Sequence, residues 1–401
     1  MARAGDPDNV SGGRSLQAAV RRTLRPMARP IKRGARLLGW AVPALAHLAR
    51  PSSPSERRVL VVYDTSSQPF SVGDLLIFQM AALLLCAKHD VEVADLAVVY
   101  DPEHPAPASS VFAGRVDREN VFYHLASLLP VAQVNQRLGS VLVLDSRRQV
   151  ERHVVDNLDR YVVWPSGWAF SGREYMSPMV FNDLLRSHHA EHGSIPHLTC
   201  RPFLRRWAET FYARLVPGRV PVTVNLRNNL GWHVHRNSRF DVWLAFFAHC
   251  ATRYPATFVI ICARSEVDDR LRSCPNVVVA KDHDTGIEHD LALINTSAAH
   301  LGASSGPATM AWFNDKPYFM VNTEFKPGAF FATAAMVERV DDDIQRVWFA
   351  EPSQRASRSV ETLELLTREF ALLWRHVDAA RWETSNATVF SRDEVPGAWL
   401  R

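Results

Sequence analysis

The chain has 401 residues, 47% of them hydrophobic and 22% charged, so it can bury a large core and exceeds one typical domain. Its formal charge of +4 is unevenly held: residues 1–50 carry ten Arg/Lys against two Asp, which leaves −4 on the remainder and argues against an extended basic nucleic-acid groove there. No run long enough for a spanning helix occurs, and five scattered cysteines (Cys86, Cys200, Cys250, Cys262, Cys274) without a CxxC pair suggest neither a disulfide framework nor a zinc knuckle, which fits a reducing cytosol.

In chain order, the basic arm comes first. Leu16, Val20, Leu24, Met27, Ile31, Ala35 and Leu38 recur at helical spacing among arginines, a pattern suited to an anionic membrane surface. Pro26 and Pro30 interrupt any continuous helix, so a disordered basic tail is the competing reading. "LLGWAVPALAHLA" (37–49) has the length of a signal-peptide core, but a long segment precedes it and no clean small-residue cleavage site follows. "RPSSPSERR" (50–58) reads as a linker.

From residue 58 strands and helices alternate. "RVLVVYD" (58–64) is a strand, 72–90 a helix, 91–100 a strand, 117–129 a helix and 140–146 a strand. A second series starts with strand 220–228 and continues with helix 239–253, strand 256–263, a short helix at 266–273 and strand 276–280. It ends with helix 286–295, strand 298–303, helix 306–314 and strand 317–322. This alternation predicts an α/β fold of two doubly wound, Rossmann-like domains facing a cleft. The expected divisions are 1–57 (arm and linker), 58–217 (first domain with connecting helices) and 218–401 (second domain). A final helix at 360–377 is expected to cross back onto the first domain.

Ligands of open parallel sheets bind where strands end and helices begin. "GASSGPA" (302–308) occupies such a junction, with Ser304 or Ser305 able to cap a helix, Pro307 fitting its first turn, and Gly302 and Gly306 letting a phosphate approach the backbone. An ordinary capped helix start is the alternative. The segment matches neither GxGxxG nor GxxxxGK[ST], which disfavours a Rossmann dinucleotide site or a P-loop kinase. "VNLRNNLGWHVHRNSRF" (224–240) crowds Arg227, His233, His235, Arg236 and Arg239 with Asn225, Asn228, Asn229, Asn237 and Trp232, a donor-rich loop suited to a diphosphate and a sugar ring, or else a solvated loop. No carboxylate or cysteine lies at metal-ligand spacing from His233 and His235, so no metal is expected.

On the first domain, Asp74 follows Gly73 at a helix start. It is either a favourable charge at the helix dipole or a carboxylate able to take a proton from an acceptor hydroxyl. Asp64 and Asp145 are weaker candidates for the same work. Asp282 and Asp284 fit turn chemistry, with a base or ribose contact as the alternative. In "WPSGWAFSGREYMSP" (164–178), Trp164 and Trp168 suit either an acceptor loop or an interdomain seam. Asn9, Asn295 and Asn386 open NxS/T triplets that read as chance matches.

With "SVGDLLI" (71–77), "NLRNN…HRNSRF" and "GASSGPATMAWFNDKP" in this order, the chain resembles bacterial glycosyltransferases of the two-domain GT-B architecture. It is most similar to those of polysaccharide gene clusters and more distantly to the heptosyltransferases; the likeness covers about 58–80 and 220–322. The resemblance implies a metal-independent enzyme with no cofactor, a nucleotide-sugar donor on the second domain and a glycan or glycolipid acceptor on the first. It implies Asp74 as catalytic base, and Arg227, Asn228, His235, Arg236, Asn237, Ser304, Ser305 and Gly306 at the donor. Gly73, Trp164 and Trp168 fall on the acceptor side. Those enzymes place a histidine three residues after the turn glycine where this chain has Thr309, a departure that bears on an ADP-heptose donor. Location is expected in the cytoplasm, with the arm at the inner membrane. A non-catalytic nucleotide-sugar or glycan binder, an epimerase and a pyruvyl transferase are the alternatives on the same scaffold.

Overall fold

The structure is a computed structural model and describes residues 57–107, 112–157, 159–166, 168, 178–229, 234–323, 337–380 and 382. The expected membrane arm, Trp232, His233, most of the 164–178 loop, and Asn9 and Asn386 lie outside the described residues.

The first sheet is parallel, in the order β3-β2-β1-β4, from β1 (Arg58–Asp64), β2 (Ala94–Val99), β3 (Leu138–Leu144) and β4 (Tyr161–Trp164). Its central strands are covered on both faces, which is why they read as continuous apolar runs. Val59, Val61 and Tyr63 face helices α1 (Val72–Lys88) and α2 (Val121–Leu128). Leu60 and Val62 face α3 (Arg147–Val155). Twelve of the seventeen residues of α1 are buried, because it lies against the sheet, α4 (Pro178–His192) and the second half of the molecule.

The second sheet has eight strands in the order β10-β11-β12-β9-β8-β5-β6-β7. They are β5 (Val220–Asn225), β6 (Ala256–Ile261), β7 (Val277–Val279), β8 (Ala299–Ala303), β9 (Tyr318–Val321), β10 (Val337–Arg339), β11 (Ile344–Val347) and β12 (Gln354–Ser357). From β12 to β7 the pairing is parallel; β10 and β11 are antiparallel additions at the edge. One face packs on α6 (Phe240–Ala251) and α9 (Leu363–Trp374) through Phe246, Phe258 and Phe370. The other packs on α7 (Ile287–Thr296) and α8 (Thr309–Trp312), with α5 (Pro202–Leu215) lying outside them.

Five expectations change. Residues 161–164 form a fourth strand of the first sheet, and β10 to β12 were not anticipated. The final helix stays on the second sheet against α6 and β9, because Leu366, Phe370 and Leu373 match that apolar face. Helix α5, placed in the first domain by the division at 217, lies on α7, with the Tyr212 hydroxyl donating to the Leu293 carbonyl at 2.6 Å. Finally, α8 has four residues where 306–314 was expected.

The halves share one apolar cluster, running from Val59 through α1 to Met310 and Met320. Segment 195–201 stitches them: Leu198 N–H donates to Phe313 O (2.8 Å), Asn295 Nδ2 to Leu198 O (3.1 Å) and Arg201 N–H to Gln133 O (3.3 Å). The Asn295 amide is thus engaged by backbone within the fold.

Candidate functional site

The site grows from the carboxyl ends of β5 and β8, which pair Asn225 with Gly302. Asn225 Nδ2 donates to Ile261 O at 2.7 Å, and its Oδ1 accepts from the Ser305 hydroxyl. Ser305 Oγ in turn accepts from Ala308 N–H at 3.4 Å across the turn before the helix; the helix N-cap is Ala308, with no side-chain cap bond, so the serine closes the turn where a helix cap was expected. Gly302 has φ +138°, and a Cβ there would lie 2.2 Å from Asn225 O, so only glycine fits.

The arginine-rich loop folds back on itself. Arg227 N–H donates to Ser238 Oγ (3.0 Å), and Ser238 N–H donates to Arg227 O (2.8 Å). Asn229 N–H donates to Asn237 Oδ1 (2.9 Å) while Asn237 Nδ2 donates to Asn229 O (2.8 Å). Asn237 is therefore a loop clamp. Arg236 donates through its guanidinium to the Ser304 carbonyl, and Asn322 Nδ2 donates to His235 O at 3.2 Å. Arg236 and Ser304, 68 positions apart, are brought together. His235 is exposed, and Asn228 and Arg236 are half-buried. Arg227 is buried, which pushes its guanidinium below the usual range while the Glu266 carboxylate acts the other way.

Three participants on this edge carry no local motif. Lys281 Nζ is buried with Asp290 Oδ2 (2.6 Å) and Thr285 O (2.9 Å). Burial pushes the Asp290 carboxyl up to about 6, against the opposing pull of Lys281. Glu361, fully buried, accepts Arg239 N–H at 2.6 Å and the Trp243 indole at 3.2 Å, fixing the exit of the loop into α6. Asp282 and Asp284 are turn residues whose partners are Arg272 (2.7 Å) and Arg264 (2.9 Å).

On the first sheet, Asp64 is 1% exposed and fully engaged, which removes it as a base candidate. It accepts from Ser66 N–H (3.0 Å), Ser66 Oγ (2.6 Å) and the Trp168 indole (3.3 Å), and pairs with Arg147 Nε (3.2 Å). Trp164 and Trp168 are each 5% exposed, which takes both out of the acceptor role. Trp164 packs edge-on to Phe78 (4.9 Å), and the Trp168 ring lies under the Arg147 guanidinium (4.9 Å). Asp145 is exposed, with its N–H on Gln149 Oε1 at 3.2 Å. Asp74 remains: it is half-buried in the first turn of α1, and its N–H donates to the Ser71 cap at 3.4 Å.

The two edges meet at the start of α1. A Cβ at Gly73 would come 3.0 Å from Thr309 Oγ1 and 3.4 Å from Gly306 Cα. At Gly306 it would come 3.1 Å from Val72 Cβ and 3.2 Å from Gly73 N. Both glycines therefore serve close protein packing, which corrects the acceptor role of Gly73 and the phosphate-approach role of Gly306. The consequence is functional: the helix turn that carries Asp74 starts against the Ser304–Gly306 turn, whose Ser304 carbonyl is held by Arg236. Because α8 is only four residues long, its dipole is small, and positive charge at the turn comes chiefly from Arg236.

Among the described residues, no group of three or more His, Cys, Asp or Glu side chains could hold a metal ion, and no helix is long and apolar enough to cross a membrane. Burial pushes the Cys86 thiol up to about 11 and those of Cys200, Cys250 and Cys262 up to about 12, so these cysteines are protonated core residues.

No family model matches the chain, and no curated protein matches it. Among solved structures it is similar to a glycosyl transferase family 9 protein of Veillonella parvula (11% identity, 79% of this chain and 89% of that one, TM-score 0.47). It is similar also to the E. coli ADP-heptose lps heptosyltransferase II (11% identity, 79% and 99% covered, TM-score 0.47). A third is E. coli heptosyltransferase WaaC with ADP-2-deoxy-2-fluoro heptose (12% identity, 79% and 99% covered, TM-score 0.40).

Proposed function

We propose that the chain is a glycosyltransferase that moves a sugar from a nucleotide-sugar donor to a cell-envelope or capsular polysaccharide or glycolipid. The observation that carries this reading is the junction itself: Gly73, the residue before Asp74 at the start of α1, packs against Gly306 of the arginine-bound Ser-Gly turn at the end of the other parallel sheet. The donor diphosphate lies in a cleft between the two edges, near Ser304, Ser305 and Arg236, with Arg227, Asn228 and His235 toward the sugar or nucleoside. Asp74 takes the proton of an acceptor hydroxyl, whose oxygen bonds to the anomeric carbon while the bond from that carbon to the diphosphate breaks. The nucleoside diphosphate leaves with the electron pair, and Arg236, the turn's N–H groups and the Ser304 hydroxyl stabilise its charge. In this reading no metal or cofactor is required, because side chains supply the positive charge.

A thermal-shift panel of UDP, GDP, ADP, CMP and dTDP tests the donor site. A ligand at a hundredfold excess over Kd adds about 2.7 kcal/mol, so one member should raise Tm by several degrees. Arg236→Ala should weaken that nucleotide roughly tenfold to a hundredfold, the range for a lost charged hydrogen bond. No shift with any nucleotide would sink the reading. The arm at 1–56 is proposed to bring the enzyme to the anionic inner face of a membrane, and its removal should abolish binding to anionic liposomes at low salt while nucleotide binding persists.

A further inference from the structure

With both tryptophans buried, the first sheet still offers aromatic surface elsewhere. Phe122 and Tyr123 open α2 and are 60% and 73% exposed, unusual for adjacent large rings on a helix that otherwise buries its apolar face. Each is the outer member of a separate set of ring contacts. Phe70, immediately before the Ser71 cap of α1, lies 6.3 Å from Phe112 and 5.7 Å from His124. His124 lies 5.5 Å from Tyr123, and Phe122 lies 5.1 Å from Tyr100 at the end of β2. One set therefore begins at Phe70, four residues before Asp74, and ends at Tyr123; the other joins Phe122 to Tyr100, directly after β2.

We propose that Phe122 and Tyr123 form a stacking shelf for pyranose rings of the acceptor glycan beyond the one that reacts. This deepens, and rests on, the glycosyl-transfer reading above. The C–H face of a pyranose is apolar and matches an exposed ring face, while its hydroxyls keep their water at the rim. Charge selects a glycan over an anionic bilayer. Residues 101–124 hold Asp101, Glu103, Asp117 and Glu119 against Arg115 and Arg118, and Arg118 is paired with Glu103 at 3.6 Å. A net negative rim repels anionic lipid and leaves a neutral sugar indifferent.

The test uses the full chain on an array of immobilised oligosaccharides, neutral and acidic, with Phe122→Ala/Tyr123→Ala compared with Phe122→Tyr/Tyr123→Phe. Both side chains are exposed, so neither variant empties the core. Wild type should bind oligosaccharides, the alanine variant between about fivefold and about a hundredfold more weakly, and the aromatic-exchange variant as wild type does. Equal binding by the alanine variant, or no oligosaccharide bound by wild type, overturns the shelf. So does loss of binding to phosphatidylcholine or phosphatidylglycerol vesicles in the alanine variant with glycan binding unchanged, since the rings would then serve a membrane. Nucleotide-induced thermal shift is measured on the same variants. A failed shelf with the shift intact leaves glycosyl transfer standing, whereas a missing shift in wild type sinks the glycosyl-transfer reading on which the shelf rests.

Discussion

Two strand-to-helix junctions meet in this molecule, and glycine does different work in each. At the end of β8, Gly302 has φ +138° and sits where a Cβ would be 2.2 Å from a neighbouring backbone oxygen, so the residue is dictated by its own strand. At the start of α1, Gly73 lies outside the left-handed region and would place a Cβ 3.0 Å from Thr309 Oγ1, so it is dictated by the other half of the protein. The first glycine is needed to make a sheet edge, the second to bring two edges together. If function lives where the edges meet, breaking the first should cost the fold, and altering the second should cost the site.

The largest effect expected is that of Gly302→Ala. A clash with backbone cannot be relieved by a rotamer change, and the positive φ adds strain for any L side chain. A loss above about 4 kcal/mol is expected, in the range reserved for such mechanisms. Urea unfolding of the purified variant measures it, and a loss under about 1 kcal/mol would mean that β5 and β8 can separate at this point.

Asp74→Asn comes next and affects turnover instead. The carboxylate sits in the first turn, where its interaction with the helix dipole contributes only about 0.3–1 kcal/mol to stability. As general base it should contribute about 10²- to 10⁴-fold to the rate. The expected outcome is a Tm close to wild type, nucleotide binding unchanged and sugar transfer nearly lost. Retained transfer would reduce Asp74 to a helix-start residue.

Much of this frame was legible in the sequence because fully buried parallel strands such as "VLVVY" and "FVIIC" are apolar without interruption. The Ser-Gly turn and the arginine loop were legible because donors and small residues crowd into short segments. What was not legible depends on long-range pairing. Trp164 is buried because β4 pairs Val61 with Trp164, a register that no local pattern announces. The strands β10 to β12 are short and charged, held by pairs such as Glu338 with Arg346 (3.0 Å), so they read as turn. Gly73 and Gly306 looked like ligand-approach glycines because the surface that fills their space belongs to the other sheet.

A smaller effect sharpens the account of β8 as a strand fixed from within. His300 is fully buried two residues before Gly302, with Nδ1 3.0 Å from Thr223 Oγ1, and burial pushes its imidazole from 6.5 down to about 3. Between those values the unfolded chain binds a proton that the folded chain does not, so stability falls as pH drops from 6.5 towards 3. This group alone should remove about 2 kcal/mol between pH 7 and pH 5. In His300→Asn, which keeps a polar atom near Thr223, that part of the slope should vanish even though the variant is less stable at neutral pH. An unchanged slope would assign acid sensitivity to other groups.

A last pair of substitutions is the most specific to the junction. Gly73→Ala and Gly306→Ala each insert a methyl at 3.0 to 3.2 Å from the opposite side, an overpacking that costs about 1–3 kcal/mol when the neighbours cannot shift. Thr309 Oγ1 is the end of a rotatable side chain, so Gly73→Ala should fall at the low end; Gly306→Ala meets the Gly73 backbone nitrogen and should fall higher. Because either methyl would already push the start of α1 off the turn, the second should find space opened by the first. The double variant should then be more stable than the sum of the single losses predicts, by about 0.5–3 kcal/mol of coupling. Transfer should fall in both single variants, since Asp74 moves with Gly73, while nucleotide affinity should fall only in Gly306→Ala. Additive losses in urea unfolding, with transfer unaffected in Gly73→Ala, would place the reacting groups away from the meeting of the two edges.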